Sequence, residues 1–166
     1  MGSIAWGTIA LAIAAVLVPL PHLLLRAASA QSAPQTTQAV FASEFRAVFV
    51  SVLSVLQDRK IPVSFASTER GLIRTGSVPV SQQRLRQMTT MEFQQVVDRR
   101  GKQGGRFVLE VAVSTHKDNK TSVGVKSMIV MTDAESQSPA GGQVLPSSGV
   151  LEREILTALK MALRSR

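Results

Sequence analysis

The sequence predicts an α+β fold: a two-layer sandwich in which a four-stranded antiparallel sheet carries an N-terminal and a C-terminal helix on one face. Three patterns carry that expectation. Apolar residues recur at helical spacing through Phe41, Phe45, Val48, Phe49, Val52 and Leu56. They recur again through Leu151, Ile155, Ala158, Leu159 and Ala162. Between these stretches, Phe107, Leu109, Val111 and Val113 alternate with Val108, Glu110, Ala112 and Ser114, the period of a half-buried strand.

Residues 1–30 precede this domain and carry one charge, Arg26. From Ile4 to Leu25 they are almost wholly apolar. Ala28-Ser29-Ala30 supplies the small-x-small pattern that a signal peptidase accepts, which makes Gln31 the first residue of a cleaved product. Pro19 and Pro21 break the apolar helix just before that point. No Lys or Arg precedes the apolar run, and its length is near the ~20 residues that span a bilayer. An uncleaved inner-membrane anchor over residues 4–25 is therefore the alternative. Either reading places residues 31–166 outside the cytoplasm, as a periplasmic or exported protein. Residues 31–40 read as a flexible linker and 41–166 as one domain.

The first helix closes at Gln57-Asp58-Arg59-Lys60, because Pro62 keeps Ile61 out of the α region. Val63 and Phe65 alternate with Ser64 and Ala66 in a short strand. Gly71 supplies an unusual backbone angle at the following turn, and Leu72–Thr75 form the next strand. Residues 81–100 hold only a weak stripe of Leu85, Met88, Met91 and Val96, which does not commit to a helix. After 107–114 the next strand runs through Val123, Val125, Ile129 and Met131. Parity fixes the register of this hairpin, because a one-residue slip would turn every side chain to the wrong face. Parity asks for an odd loop: a three-residue loop keeps the faces, but the favoured five-residue loop over 116–120 pairs Val113 with Val123 and Val111 with Val125, and also sets Glu110 opposite Lys126 on a wet outer face with Ser114 and Ser122. Residues 133–148 read as a mobile loop. Ser147-Ser148-Gly149 then caps the last helix, with Glu152 and Glu154 in its first turn and Lys160, Arg164 and Arg166 near its end, complementing its dipole.

These residues also form a familiar order. An opening helix is followed by Ile61-Pro62-Val63, Gly71-Leu72-Ile73-Arg74-Thr75, Arg106-Phe107-x-Leu109-x-Val111 and Thr121-x-Val123-x-Val125. Leu145-Pro146-Ser147-Ser148-Gly149-x-Leu151-Glu152 then leads into a final helix. Over about residues 41–165 this resembles the small exported proteins whose fold is like the helix-grip domains of BamC, a component of the outer-membrane β-barrel assembly machine. The resemblance implies a non-catalytic accessory role in the cell envelope, with no cofactor.

Composition points the same way. The absence of cysteine removes disulfides, thiolate metal ligands, cysteine nucleophiles and lipid attachment through Cys. Of two histidines, His22 lies in the leader, which leaves His116 beside Asp118 in the hairpin loop, with no third partner in the sequence. Gly101-Lys102-Gln103-Gly104-Gly105 is glycine-rich but lacks the Gly-Lys-Ser/Thr ending of a phosphate loop and precedes a strand, not a helix. The chain has 19 Lys and Arg against 11 Asp and Glu, a formal +8. Arg84, Arg86, Arg99, Arg100, Lys102 and Arg106 concentrate that charge, opposed only by Glu92 and Asp98. They are the candidate contact surface for an envelope protein or for anionic lipid or lipopolysaccharide. Nucleic acid is a poor fit, because Tyr is absent, Trp6 is in the leader, and the Phe residues fall on expected core faces. A second reading makes the chain a carrier of a small amphiphile held between sheet and helices, with Met88, Met91, Met128 and Met131 lining the cleft.

Overall fold

A computed structural model of the chain describes residues 36–99, 104–132 and 142–165. Two long strands, β5 (Gly105–Thr115) and β6 (Thr121–Met131), form an antiparallel hairpin at the centre of a seven-stranded sheet. At 11 residues each they are about 36 Å long, so each outer side has room for two short strands end to end. Beside β6 lie β1 (Thr37–Phe41) and β7 (Gln143–Leu145); beside β5 lie β3 (Leu72–Thr75) and β4 (Val78–Val80). β2 (Val63–Ser67) pairs with β3, and every pairing is antiparallel. Helix α1 (Phe45–Asp58) follows β1; α2 (Gln82–Met88) and α3 (Met91–Arg99) follow β4; α4 (Val150–Arg164) closes the chain.

The odd-numbered residues of the central hairpin build the core. Phe107, Leu109, Val111, Val113, Val123, Val125, Ile129 and Met131 are buried together with Val48, Phe49, Val52 and Leu56 of α1. Leu85 and Met88 of α2, Val97 of α3, and Leu151, Ile155, Leu156 and Leu159 of α4 complete it. The helices thus lie on one face of the sheet, with α1 packed on α4 and both on the hairpin.

The hairpin register is the one that parity demands. Val113 pairs with Val123, Val111 with Val125, and Glu110 with Lys126. The His116 N–H donates to Lys120 O at 2.7 Å across the five-residue loop, whose Asp118 and Asn119 take left-handed backbone angles. The Glu110 carboxylate is held by Arg74 of β3, whose Nε lies 2.8 Å from it.

Two turn positions show why the local sequence works. Helix α1 ends with Lys60 N–H on Gln57 O and Ile61 N–H on Leu56 O, a Schellman closure that puts Lys60 at φ 56°. Gly71 sits at φ +58°, and a Cβ there would lie 2.0 Å from Val113 O. That oxygen-side crowding is the consequence of β3 entering beside β5, where Val113 N–H donates to Gly71 O at 2.7 Å.

The sheet departs from expectation in strand number. It has seven strands, not four, and the extra three are short. Strand β1 begins at Thr37, inside the stretch read as a linker, so Phe41 ends a strand and α1 begins at Phe45. Strand β4 contains Pro79, tolerated because it lies at an edge, and β7 forms within the stretch read as a loop. Residues 81–99 form two helices that bury Leu85, Met88 and Val97, whereas Met91 of the expected stripe faces solvent. Phe65 is 42% exposed instead of in the core, because β2 carries a bulge between Val63 and Phe65 that turns it outward. Ser122 is buried under Gln38 of β1 instead of wet. Among the described residues no helix is long and apolar enough to cross a membrane. The apolar run 4–25, the cleavage motif Ala28-Ser29-Ala30 and Gln31 lie outside the described residues.

Candidate functional site

The described members of the basic segment, Arg84, Arg86 and Arg106, do not share one surface. Arg84 is half-buried on α2, where its guanidinium donates to Gln87 and to Glu154 of α4. Arg86, on the same helix, pairs with Asp98 of α3 at 3.1 Å. Both therefore serve to fasten helices to one another. Arg99 ends α3, and Arg100 and Lys102 lie outside the described residues. Arg106 stands apart from Arg84 and Arg86, exposed on the outer face of β5.

That outer face is the principal surface that sequence reading missed. The register places Val144, Val130, Arg106 and Pro79 in one row across β7, β6, β5 and β4. The next row holds Met128 and Val108, and the third holds Lys126, Glu110, Arg74 and Phe65. Met128 is 49% exposed, Val144 62% and Phe65 42%. Pro79 is exposed too, and Val108 and Val130 are half-buried. Arg74 and Glu110 neutralise one another, so the net charge of these rows comes from Arg106 and Lys126. One end of the sheet thus presents apolar side chains to solvent with two cations among them. A signal for this was present. The run Met128-Ile129-Val130-Met131 is apolar at both parities, which a face meant only for water would not require.

A second feature lies at the junction of β1 and α4. A groove of about 300 Å³ is lined by Ala39, Val40 and Phe41 from the strand and by Arg153, Leu156, Thr157 and Lys160 from the helix.

The most deeply buried polar cluster is structural. Glu152 is fully buried at the third position of α4. Its Oε1 accepts from Ser127 N at 3.2 Å, from Ser127 Oγ at 2.6 Å and from Ser147 Oγ at 2.8 Å. Ser147 Oγ in turn accepts from Gly149 N at 3.0 Å. This is a capping box with a hydroxyl inserted: the N-cap amide reaches the third-position carboxylate through Ser147. Ser127 lies where β1 has ended and β7 has not begun, so the carboxylate supplies the acceptor that a strand would otherwise provide. The dipole role expected of Glu152 stands beside this larger one.

The remaining candidates do not converge. His116 is exposed in the hairpin loop. Among the described residues no three His, Asp or Glu groups come together as metal ligands. Met88 and Met131 are buried in the core, Met91 is 84% exposed on α3, and Met128 is on the opposite face of the sheet. The four methionines share no lining.

Neither protein-family models nor curated proteins match this chain. Among solved structures it is similar to a DUF4468 family protein from Bacteroides ovatus ATCC 8483, at 10% identity and a TM-score of 0.36, over 80% of this chain and 81% of that one.

Proposed function

We propose that this chain is a non-enzymatic, exported cell-envelope protein that docks on an anionic membrane surface, lipid or lipopolysaccharide, through the outer face of its sheet. The carrying observation is the row arrangement in which Met128, Val144, Val130, Val108 and Pro79 surround Arg106, with Lys126 beside them. Apolar side chains gain by entering the headgroup boundary, and each nearby cation adds about 1 kcal/mol against an anionic leaflet. The apolar run over 4–25, as signal or anchor, supports the location. The proposal keeps the sequence resemblance to helix-grip envelope domains: a two-layer arrangement with terminal helices on one face leaves the opposite face available for contact. The accessory role in envelope or outer-membrane assembly follows as docking rather than chemistry.

The test is sedimentation of the full chain with phosphatidylglycerol vesicles and with phosphatidylcholine vesicles. The proposal expects an extra, salt-sensitive fraction on the anionic vesicles that is lost in the double variant Arg106→Glu/Lys126→Glu. Equal binding to both vesicle types, unchanged in the double variant, would contradict it.

A further inference from the structure

We infer that the outer edge of β1, together with the groove between β1 and α4, receives an extended acidic peptide that adds to the sheet as one more strand. The direction of the ladder shows what the edge offers. Leu109 N–H donates to Thr75 Oγ1 and Ser127 N–H to Glu152, so this facing pair sends both amides away from the β5–β6 interface. By alternation the amides of Val125, Val123 and Thr121 also point toward β1. Their partners Thr37, Ala39 and Phe41 spend their backbone groups on β6. Gln38 and Val40 consequently turn their N–H and C=O groups to the open side. Among the described residues no strand pairs there.

The β1 and β2 edges of the sheet are treated differently. The β2 edge follows Pro62 and is broken by the bulge between Val63 and Phe65, both devices that discourage an added strand. Strand β1, Thr-Gln-Ala-Val-Phe, has no charge, no proline and no register shift. An edge left regular in a fold that blunts its other edge is suited to strand addition.

Charge selects the occupant. Arg153, Thr157 and Lys160 are exposed along one flank of α4 and line the groove, with Phe41 and Leu156 at its floor. The two cations are about 10 Å apart along the helix. A strand laid against β1 would direct alternate side chains into this groove, one every ~7 Å, so acidic residues at inward positions would meet both cations. Pairing of β1 with a second copy would instead bring two sets of Arg153 and Lys160 together, and like charges disfavour it. This surface is separate from the outer face, so the inference does not depend on membrane docking.

The experiment measures fluorescence anisotropy of a labelled heptapeptide of alternating Glu and Val, titrated with the full chain, beside the same peptide with Lys for Glu. The Glu peptide is expected to bind saturably, and roughly tenfold more tightly than the Lys peptide at low salt. Arg153→Glu/Lys160→Glu, which touches no core residue, should reverse that preference. Val40→Pro should abolish binding of the Glu peptide, since the amide it removes points outward and takes no part in the β1–β6 ladder. Equal binding of the two peptides, no binding of either, or a concentration-dependent dimer that Val40→Pro dissolves would overturn the inference. Vesicle sedimentation of the same variants should remain as in the wild type, which keeps failure here distinct from failure of membrane docking.

Discussion

Leu109 and Ser127 face each other across the central hairpin, and each sends its amide outward to a side chain instead of a strand. Leu109 N–H reaches Thr75 Oγ1 at 2.9 Å, and Ser127 N–H reaches Glu152 Oε1 at 3.2 Å. At this level β3 gives way to β4 on one side, and β1 to β7 on the other. Two side chains therefore close the gaps that four short strands leave.

Glu152→Ala removes the acceptor of the Ser127 amide and of the Ser127 and Ser147 hydroxyls in a fully buried place. It should lower unfolding stability by roughly 3 kcal/mol, read from urea denaturation, because several buried donors would lose their one acceptor. Glu152→Gln keeps one acceptor oxygen and should cost less. A cost for Glu152→Ala below that of Glu152→Gln would contradict the capping account.

Thr75→Val keeps shape and deletes one oxygen. It should cost roughly 1–3 kcal/mol by stranding the Leu109 amide, whereas Thr75→Ser should cost less because the acceptor remains. Denaturation midpoints of the two variants measure the difference.

Gly71 and Lys60 share a left-handed backbone but predict opposite outcomes. Gly71→Ala would force a methyl against Val113 O and should destabilise sharply, shifting the thermal midpoint down by many degrees. Lys60→Gly relieves a lysine held at φ 56° and should stabilise by about 1 kcal/mol. Thermal melts of the pair check both signs.

Arg84→Ala and Arg86→Ala should leave anionic-vesicle binding intact, because these guanidinium groups serve Glu154 and Asp98. Their effect on stability should stay within about 1 kcal/mol, as partly exposed ion pairs are worth little. Loss of vesicle binding in either single variant would restore the contiguous basic segment as the contact surface.

What could be read from sequence was what repeats. The stripes of α1 and α4 and the alternation of β5 and β6 span several turns or strand pairs; parity then required an odd hairpin loop, and placing Glu110 opposite Lys126 favoured the five residues observed. Gly71 was legible because a turn between two short strands demanded it. What escaped was what has no period. Strands β4 and β7 have three residues each, too few to alternate, and exist because β5 and β6 are long enough to hold them. Strand β1 sits among Gln and Thr that resemble a linker and is held by pairing with β6. Arg84 and Arg106 belong to one basic stretch of sequence but lie on a helix and on the far face of the sheet, so closeness along the chain did not put these two on one surface. Glu152 looked like an ordinary helix-start carboxylate, since its burial depends on Ser127 from a distant strand.

The most direct test of the docking account uses the chain's lack of cysteine. Met128→Cys and, separately, Met161→Cys on exposed α4 can each be labelled at one position with a polarity-sensitive fluorophore in the full chain. The apolar residues 4–25 contribute alike to both. On adding phosphatidylglycerol vesicles, the label at 128 should shift to the blue and the label at 161 should not. A shift at 161 alone, an equal shift at both, or none at 128 would contradict the assignment of the outer sheet face as the membrane-contacting surface.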